Sequence, residues 1–284
     1  MEATSPQNRL HFSPILIARL YCMTKPMEKK SSKRNRPTLR AKKSLGQNFL
    51  MHARIAERIA LCAGLTSATT VLEIGPGTGM LTRELLKLAG KVIAVEADSA
   101  LYERLNTDFA DEIAAKRLEL IHSDIRQFDL TVLPKEYVLV ANIPYYITGE
   151  ILRMFLESST QPSAMTLLVQ KEVADRVVAR DKKESILSLS VKAYGVPKRE
   201  FLVPRGAFVP APNVDSAVLT VRDISRKNFS SIAEEKKFFV FLHAGFAHKR
   251  KFVRSNLIEA GFSAGNIREK ARAEDLTLSE WLSL

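Results

Sequence analysis

A glycine-rich turn is the strongest chemical signal in the sequence. The segment VLEIGPGTGMLT, residues 71–82, runs from a predicted strand through Gly75, Gly77 and Gly79 into a predicted helix. Such a turn brings backbone close to a ligand and directs a helix N-terminus toward it. A dinucleotide fingerprint needs its third glycine one position later, where the chain has Met80. The G-x-G-x-G form is typical of proteins that bind S-adenosylmethionine (SAM), where the turn contacts an amino-acid tail and a ribose.

Two acidic residues stand at the ends of the next two predicted strands. Glu96 follows Gly75 by 21 positions (96 minus 75), where a carboxylate can accept hydrogen bonds from both hydroxyls of a ribose. Asp124 ends the third strand and can accept from the exocyclic amine of an adenine. Either acid alone would more commonly be a helix cap or a surface charge. Because open α/β sheets bind ligands at the carboxyl ends of their strands, three such groups in succession predict one cofactor site.

The fourth predicted strand ends in ANIPYY, residues 141–146. Here Asn142 offers an amide oxygen, Pro144 a backbone carbonyl and Tyr145 an aromatic face within one tight turn. These groups could hold a planar base that carries an amino group. Taken in isolation, a proline-terminated strand whose tyrosine packs on the core is the better explanation. After a SAM-type pocket, the functional interpretation is favoured.

The elements that must position these residues alternate along the chain. Short apolar strands and amphipathic helices follow each other up to about residue 195, which predicts an α/β fold with a doubly wound, mostly parallel sheet. Near Val196 the pattern changes to two paired strands, KREFLVP and DSAVLTVR, joined by a Pro-rich loop. From about Ile232, four segments have helical spacing, namely AEEKKFFVFLHAGF, KRKFVRSNLIEAG, AGNIREKA and LTLSEWLSL. We therefore predict a basic leader over 1–41, an α/β domain over 42–228 and a small all-helical domain over 229–284.

The charge of the chain is strongly basic and unevenly placed. Its 284 residues have a formal net charge of +12 and a pI near 9.7, which indicates a polyanionic partner, nucleic acid first and an acidic membrane surface second. Residues 1–50 carry 11 Lys/Arg and 2 Asp/Glu, a net of +9, and the remainder of the chain has a net of only +3. A second cluster, from Arg222 to Arg254, has nine bases and three acids. The alternative is a solvated tail and a solvated helix face.

Other features argue against several classes of protein. The two cysteines form no C-x-x-C and the five histidines no H-x-x-x-H, so we expect no metal site and a reducing cytoplasm. No apolar stretch approaches the roughly 20 residues that span a bilayer, so we expect no membrane association. Residues 1–26 do not have the pattern of a signal peptide. We hypothesise that translation starts at Met23 or Met27.

Over residues 42–284 the chain resembles the ribosomal RNA small-subunit adenine dimethyltransferases, the KsgA type. The resemblance rests on the order and spacing of KKSLGQNFL, LEIGPGTGMLT, VEAD, SDI, NIPYYITGEIL, LLVQKEVADRVVA, FVPAPNVDSAV and HKRKFVRSNL. It implies a Rossmann-like class I SAM-dependent methyltransferase domain with a helical RNA-recognition domain. It also implies successive methyl transfer to N6 of two adjacent adenosines, in a hairpin loop near the 3′ end of 16S rRNA within the small ribosomal subunit. That reaction gives N6,N6-dimethyladenosine and belongs to ribosome biogenesis.

The resemblance also assigns site residues. It implies that SAM is contacted by Asn48, Leu50, Gly75, Glu96, Asp124 and Asn142, to which we add Gly77 from the geometry of the turn. Asn142 and the Pro144 carbonyl would accept from the amine of the target adenine, with Tyr145 stacked on one face of the base and Phe208 closing the other. We expect RNA contacts from six basic residues, the last four on a predicted helix: Lys42, Lys43, Lys249, Arg250, Lys251 and Arg254.

Three alternatives differ in substrate or in class. A large-subunit rRNA adenine methyltransferase of the erythromycin-resistance type would share the pocket, although QKEVADR and FVPAPNVDSAV favour the small-subunit type. A ribosome assembly factor whose catalysis is dispensable would share the whole architecture. An NAD-dependent oxidoreductase is disfavoured by Met80 and by NIPY. Nothing in the sequence requires more than a monomer.

Overall fold

The computed structural model describes residues 46–284. The predicted leader over 1–41, Lys42 and Lys43 lie outside the described residues. The described residues belong to one compact unit. The domain boundary predicted at 228/229 therefore stays a prediction.

Strands form one large sheet and one small one. In chain order they are β1 (Phe49–Leu50), β2 (Thr70–Ile74), β3 (Lys91–Glu96), β4 (Leu118–His122), β5 (Val138–Asn142), β6 (Ala164–Gln170), β7 (Val196–Val203), β8 (Phe208–Val209) and β9 (Ser216–Arg222). The large sheet has the order β4-β3-β2-β5-β6-β9-β7. Its first five strands are parallel, β9 pairs antiparallel with β6, and β7 pairs antiparallel with β9 and so runs in the direction of the first five. The short strands β1 and β8 pair antiparallel with each other. The predicted mostly parallel sheet is confirmed.

Helices cover both faces of the large sheet or follow it in the chain. They are α1 (Ala53–Cys62), α2 (Met80–Leu88), α3 (Ser99–Asp108), α4 (Ala110–Ala114), α5 (Thr148–Glu157), α6 (Lys171–Val177), α7 (Ile186–Lys192), α8 (Ile232–Gly245), α9 (Val253–Glu259) and α10 (Leu278–Leu282). None of those helices combines the length and the apolar character that crossing a membrane would require.

The apolar pattern of the sequence explains how sheet and helices pack. Central strands such as β3 are apolar at nearly every position, because both faces of the sheet are covered and the strand is buried throughout. Helix α2 instead buries one stripe, including Leu81 and Leu85, and exposes Arg83 and Lys87 on its opposite side. Two apolar clusters result, one on each face of the sheet.

The strand order creates a crevice where the site was predicted. From β2 the chain adds β3 and β4 on one side and then returns to place β5 on the other side of β2. At such a switch point the loops after β2 and β5 leave in opposite directions and open a crevice at the carboxyl ends of the strands. The glycine turn, Glu96 and Asn142 all stand at this edge.

The C-terminal helices differ from their predictions in two places. The segment AGNIREKA forms turns, with Gly265 at φ +48°, so the predicted helix there is wrong. The segment KRKFVRSNLIEAG becomes helical only at Val253, so Lys249, Arg250 and Lys251 lie in the preceding turn and the prediction that they lie on a helix is wrong. Arg254 does lie on α9.

Candidate active site

A cavity opens at the carboxyl ends of β2, β3, β4 and β5. Its empty space, with the open mouth included, is about 1070 Å³. All seven residues predicted to contact SAM line it, together with Pro144 and Tyr145: Asn48, Leu50, Gly75, Gly77, Glu96, Asp124 and Asn142. The structure therefore brings these predicted residues together, and their individual roles stay predictions.

Two glycines of the turn serve different needs. Gly75 has φ +63°, and a Cβ built on it meets no atom within 4 Å, so a side chain there would project into open space at the cavity. Gly79 has φ +74° and precedes α2 as its N-cap. A Cβ on Gly79 would lie 2.5 Å from Cε2 of Phe109. Gly75 thus keeps the cavity clear, and Gly79 lets the turn pack against the core.

Glu96 ties the end of β3 to the glycine turn. Its Oε2 accepts from the Gly77 N–H at 3.0 Å, and its Oε1 accepts from the Asp98 N–H at 2.9 Å. Burial raises the pKa of the Glu96 carboxyl, while these two N–H donors act in the opposite direction. Each carboxylate oxygen retains a lone pair that can accept from a ribose hydroxyl. Asp98 is the N-cap of α3, and its side chain accepts from the Ala100 N–H at 3.0 Å.

A second acid, Glu73, was given no role by sequence reasoning. It lies on β2 two residues before the turn, is 1 % exposed and lines the cavity. Its Oε2 is buried without a hydrogen-bond partner among the described residues. Burial, reinforced by the charge of Glu96, raises the pKa of Glu73 to about 8. The signal was present in the sequence, since Glu73 stands inside the motif LEIG.

Asp124 lies on the cavity wall but shares its carboxylate with a neighbour. Its Oδ1 accepts from the backbone N–H and the Nε–H of Arg126, both at 3.0 Å, and its Oδ2 accepts from Nη2 of Arg126 at 2.5 Å. Hydrogen bonds from the Arg126 side chain hold the pKa of Asp124 below its usual range. The carboxylate is therefore ionised and suited to accept from an amine.

The segment 46–50 crosses the cavity from the other side. The Asn48 carbonyl accepts from Nδ2 of Asn142 at 3.2 Å, and Nε2 of Gln47 donates to Oδ2 of Asp98 at 3.2 Å. Leu50 pairs with Phe208 in the β1–β8 ladder. Gln47 was missed as a site residue, although it stands inside the motif GQNFL. These contacts hold the segment against the ends of β3 and β5.

The turn after β5 presents the groups that were predicted to hold a base. Because Nδ2 of Asn142 donates to the Asn48 carbonyl, the side-chain oxygen of Asn142 is left as the acceptor. The Pro144 carbonyl accepts from the Ile147 N–H at 3.1 Å and keeps a second lone pair. The hydroxyls of Tyr145 and Ser216 share a hydrogen bond of 2.6 Å, which holds the half-buried Tyr145 ring in place.

The structure does not bring Phe208 to the cavity. Phe208 is 2 % exposed and packs in an apolar cluster with Leu50 and Val203. It is absent from the cavity lining among the described residues. Its role in closing the second face of the base stays a prediction, and the position of its ring does not support that role.

The described basic residues lie apart from the cavity and differ in their contacts. Lys249 and Arg250 are exposed in the turn before α9. Lys251 pairs with Glu259 at 2.7 Å, and Nη1 of Arg254 donates to the Ile267 carbonyl at 3.2 Å. Lys249 and Arg250 are therefore the better placed of the four for a polyanionic partner.

The residues of the cavity fit SAM. Gly75 leaves room that a Cβ would fill, Glu96 and Asp124 offer carboxylates, and the buried Oε2 of Glu73 is an acceptor without a partner in the described chain. A cationic ligand with ribose hydroxyls and an adenine amine suits this donor and acceptor set. Within residues 46–284, no three His, Cys, Asp or Glu side chains cluster in a way that could hold a metal ion.

Comparison with known proteins gives the family. The family model described as "Ribosomal RNA adenine dimethylase" matches residues 38–284. "Ribosomal RNA small subunit methyltransferase A" of Dehalococcoides mccartyi strain 195 is 41% identical over 87% of this chain and 88% of its own length.

Two solved structures are similar as well. The 23S rRNA methyltransferase ErmE is 25% identical with a TM-score of 0.68, over 83% of this chain and 98% of its own. A dimethyladenosine transferase from Plasmodium falciparum is 25% identical with a TM-score of 0.70, over 82% of this chain and 94% of its own. With a family model that matches nearly all of the described chain and a relative of this identity, the chain belongs to the ribosomal RNA adenine dimethylase family.

Proposed function

We propose that this protein transfers methyl groups from SAM to N6 of two adjacent adenosines in a hairpin loop near the 3′ end of 16S rRNA. The product is N6,N6-dimethyladenosine within the small ribosomal subunit. Membership of the family supports an adenine dimethyltransferase that uses SAM. The single observation that carries the chemistry is the Asn142–Asn48 hydrogen bond, because it leaves the side-chain oxygen of Asn142 as an acceptor beside the Pro144 carbonyl.

Two acceptors address the chemical difficulty of this reaction. The N6 lone pair of adenine is delocalised into the ring, so N6 is a weak nucleophile. Hydrogen bonds from its two N–H groups to Asn142 and to the Pro144 carbonyl favour a pyramidal amine and localise the lone pair. The Pro144 carbonyl can accept in this way because its bond from the Ile147 N–H uses only one lone pair.

Positioning supplies most of the rate. SAM, when bound, supplies an electrophilic methyl group on a sulfonium, so no strong base is required of the protein. Well-oriented reactants can gain on the order of 7–11 kcal/mol relative to separate ones. The contacts of Glu96 with the glycine turn and of Asn142 with the segment 46–50 hold both halves of the site in register.

The base must be held after it leaves its loop. Extrusion costs a few kcal/mol, least for a base outside a duplex. Stacking on an aromatic ring returns about 1–3 kcal/mol. Tyr145 is suited to this role because its hydroxyl is anchored to Ser216 and its ring lines the cavity.

Recognition of the RNA is assigned to six basic residues. Lys249 and Arg250 are exposed, and Lys42 and Lys43 precede the described chain. Phosphate contacts of this kind give affinity and register rather than base identity. A cytoplasmic monomer acting on the small subunit completes the proposal, and curated relatives named for the small subunit support that substrate.

A second candidate substrate is large-subunit rRNA. The similarity to ErmE, a 23S rRNA methyltransferase, is the observation that favours it. Identities of 36–41% to small-subunit enzymes exceed the 25% to ErmE and favour the small subunit.

The test is methyl transfer from labelled SAM to undermethylated small subunits and, in parallel, to large subunits. We expect label in the small subunit as N6,N6-dimethyladenosine. Replacing Asn142 by alanine should lower kcat/KM on the order of 10²–10³-fold, as removal of one group that stabilises developing charge does elsewhere. Asn228→Ala is the matched control, because Nδ2 of Asn228 also donates to a backbone carbonyl, that of Ala193, outside the cavity.

Other outcomes would redirect the proposal. Label in large-subunit RNA would show that this protein methylates 23S rRNA, the RNA for which ErmE is named. No label in either subunit, with S-adenosylhomocysteine still raising the melting temperature, would contradict catalysis on ribosomal subunits and favour the assembly-factor alternative.

A further inference from the structure

We infer that Tyr146 is a second stacking surface, which holds the nucleotide adjacent to the target adenosine at the rim of the active-site cavity. This inference rests on the proposed function, since it assigns a partner to a residue of the same site. Tyr146 lines the cavity and is 61 % exposed.

The turn after β5 sends three consecutive side chains in different directions. Residues 145–147 form a single 3₁₀ turn, closed by the hydrogen bond from the Ile147 N–H to the Pro144 carbonyl. Tyr145 is tied to Ser216, and Ile147 is 7 % exposed in the core. Tyr146 lies between them and faces solvent. The hydroxyl of Tyr145 is thus anchored and Ile147 packs in the core, while Tyr146 leaves most of its ring exposed to contact a ligand.

The ring of Tyr146 is nevertheless held in one place. It lies against Gly46, where a built Cβ would approach Cε1 of the ring at 2.9 Å and Cδ1 at 3.1 Å. Gly46 belongs to the segment that Asn48 and Gln47 fix across the cavity. The hydroxyl of Tyr146 makes no hydrogen bond to any of residues 46–284 that the structure describes. A supported ring without a polar partner is a platform for stacking rather than a hydrogen-bonding group.

Charges on the same rim nearly cancel, which also favours stacking over phosphate binding. Arg126 is engaged with Asp124 and lies within electrostatic range of both Tyr146 and Glu150. The charge of Arg126 is thus balanced by that of Asp124, so among residues 46–284 this part of the rim offers no excess positive charge to a phosphate. Stacking needs no such charge and tolerates any base, because every base has a π-face.

The neighbouring nucleotide is the occupant that the geometry favours. The target adenine is assigned to Asn142, Pro144 and Tyr145. Tyr146 is the next residue along the chain, lines the same cavity and is largely exposed. When a base is drawn into the cavity, the base beside it loses a stacking partner, and an exposed ring at the mouth can replace that partner.

The first test compares Tyr146→Ala with Tyr146→Phe on undermethylated small subunits. Loss of one base–aromatic contact, about 1–3 kcal/mol, corresponds to a fall in kcat/KM of about 5- to 150-fold, and the phenylalanine variant should remain within about twofold of wild type. Val132→Ala is the control, since Val132 is 65 % exposed and lies away from the cavity lining. The dissociation constant for S-adenosylhomocysteine should not change, because the contact is with RNA.

The second test separates a nucleotide contact from a structural role. Small subunits are reconstituted with an abasic site beside the target adenosine, and wild type and Tyr146→Ala are compared on both substrates. If Tyr146 stacks on the adjacent base, each single change slows methylation and the two together are no slower than either alone.

Independent, multiplicative effects of the two changes would overturn the inference. A Tyr146→Ala variant that matches wild type, or one that weakens S-adenosylhomocysteine binding as much as it lowers kcat/KM, would also overturn it. Inactivity of the wild-type protein on the unmodified subunit would instead refute the proposed function, so the two failures are distinguishable.

Discussion

Replacing Gly75 or Gly79 by alanine should affect different properties of the protein. Gly79→Ala should lower stability more, and Gly75→Ala should weaken ligand binding more. Both have positive φ, so Gly→Ala places an L residue in the left-handed region at either position, at a cost of about 1–2 kcal/mol. At Gly75 the added methyl meets nothing within 4 Å, so this is the whole cost to stability. At Gly79 the methyl would overlap the Phe109 ring at 2.5 and 2.8 Å, and such overpacking adds about 1–3 kcal/mol.

The two variants are compared by thermal unfolding and by titration with S-adenosylhomocysteine. For a chain of this size about 1 kcal/mol corresponds to roughly 2–4 °C, so Gly79→Ala should melt about 2–12 °C below Gly75→Ala. The order reverses for the ligand, because the Gly75 methyl projects toward the cavity. We expect Gly75→Ala to weaken binding at least about tenfold, a loss near 1.4 kcal/mol. Equal melting temperatures, or wild-type affinity in Gly75→Ala, would refute this division of roles.

Two further predictions concern buried charged groups. Burial raises the pKa of Glu73 to about 8 in the folded state. Between about pH 4.5 and 8 the folded state therefore keeps a proton that the unfolded state has lost. The free energy of unfolding should fall over this range by up to about 1.4 kcal/mol per pH unit. Glu73→Gln should flatten that slope in urea titrations at several pH values; an unchanged slope would contradict it. Glu235 accepts from the Tyr194 hydroxyl and, at 2.9 Å, from Nε of Arg226, which links α8 to the segments that precede β7 and follow β9. Glu235→Ala should lower the free energy of unfolding by about 1–3 kcal/mol. Glu269 is exposed, so Glu269→Ala should leave that free energy nearly unchanged. Similar urea midpoints for the two variants would argue against a stabilising role of Glu235.

The placement of the site could be predicted because a parallel sheet converts spacing along the chain into proximity. Glu96 and Asn142 are the last residues of β3 and β5, Asp124 lies two residues beyond the end of β4 rather than on it, and strand ends meet at one edge. No comparable rule predicts the contacts of side chains that do not stand at strand ends. The contact of Gln47 with Asp98, 51 positions away, depends on how the segment 46–50 crosses the cavity.

The errors have physical reasons as well. In AGNIREKA the residues Ala264, Ile267 and Ala271 are buried, as helical spacing suggests, at 6 %, 9 % and 5 % exposure. Irregular turns bury them instead, because Gly265 takes a left-handed conformation. The role of Phe208 stays a prediction; its motif suggested it, whereas the place of the residue in the fold depends on pairing with Leu50, which local sequence does not reveal.

The pairing of β1 with β8 also sets an order of events during protein synthesis. Phe49 pairs in register with Val209, which is made 160 residues later (209 minus 49). At about 5–20 residues per second, roughly 8–32 s separate the two on the ribosome. The glycine turn and Glu96 can assemble early, but the segment that crosses the cofactor cavity has no strand to pair with until β8 emerges. A nascent chain that already has its central parallel strands therefore still has an unfinished cofactor site.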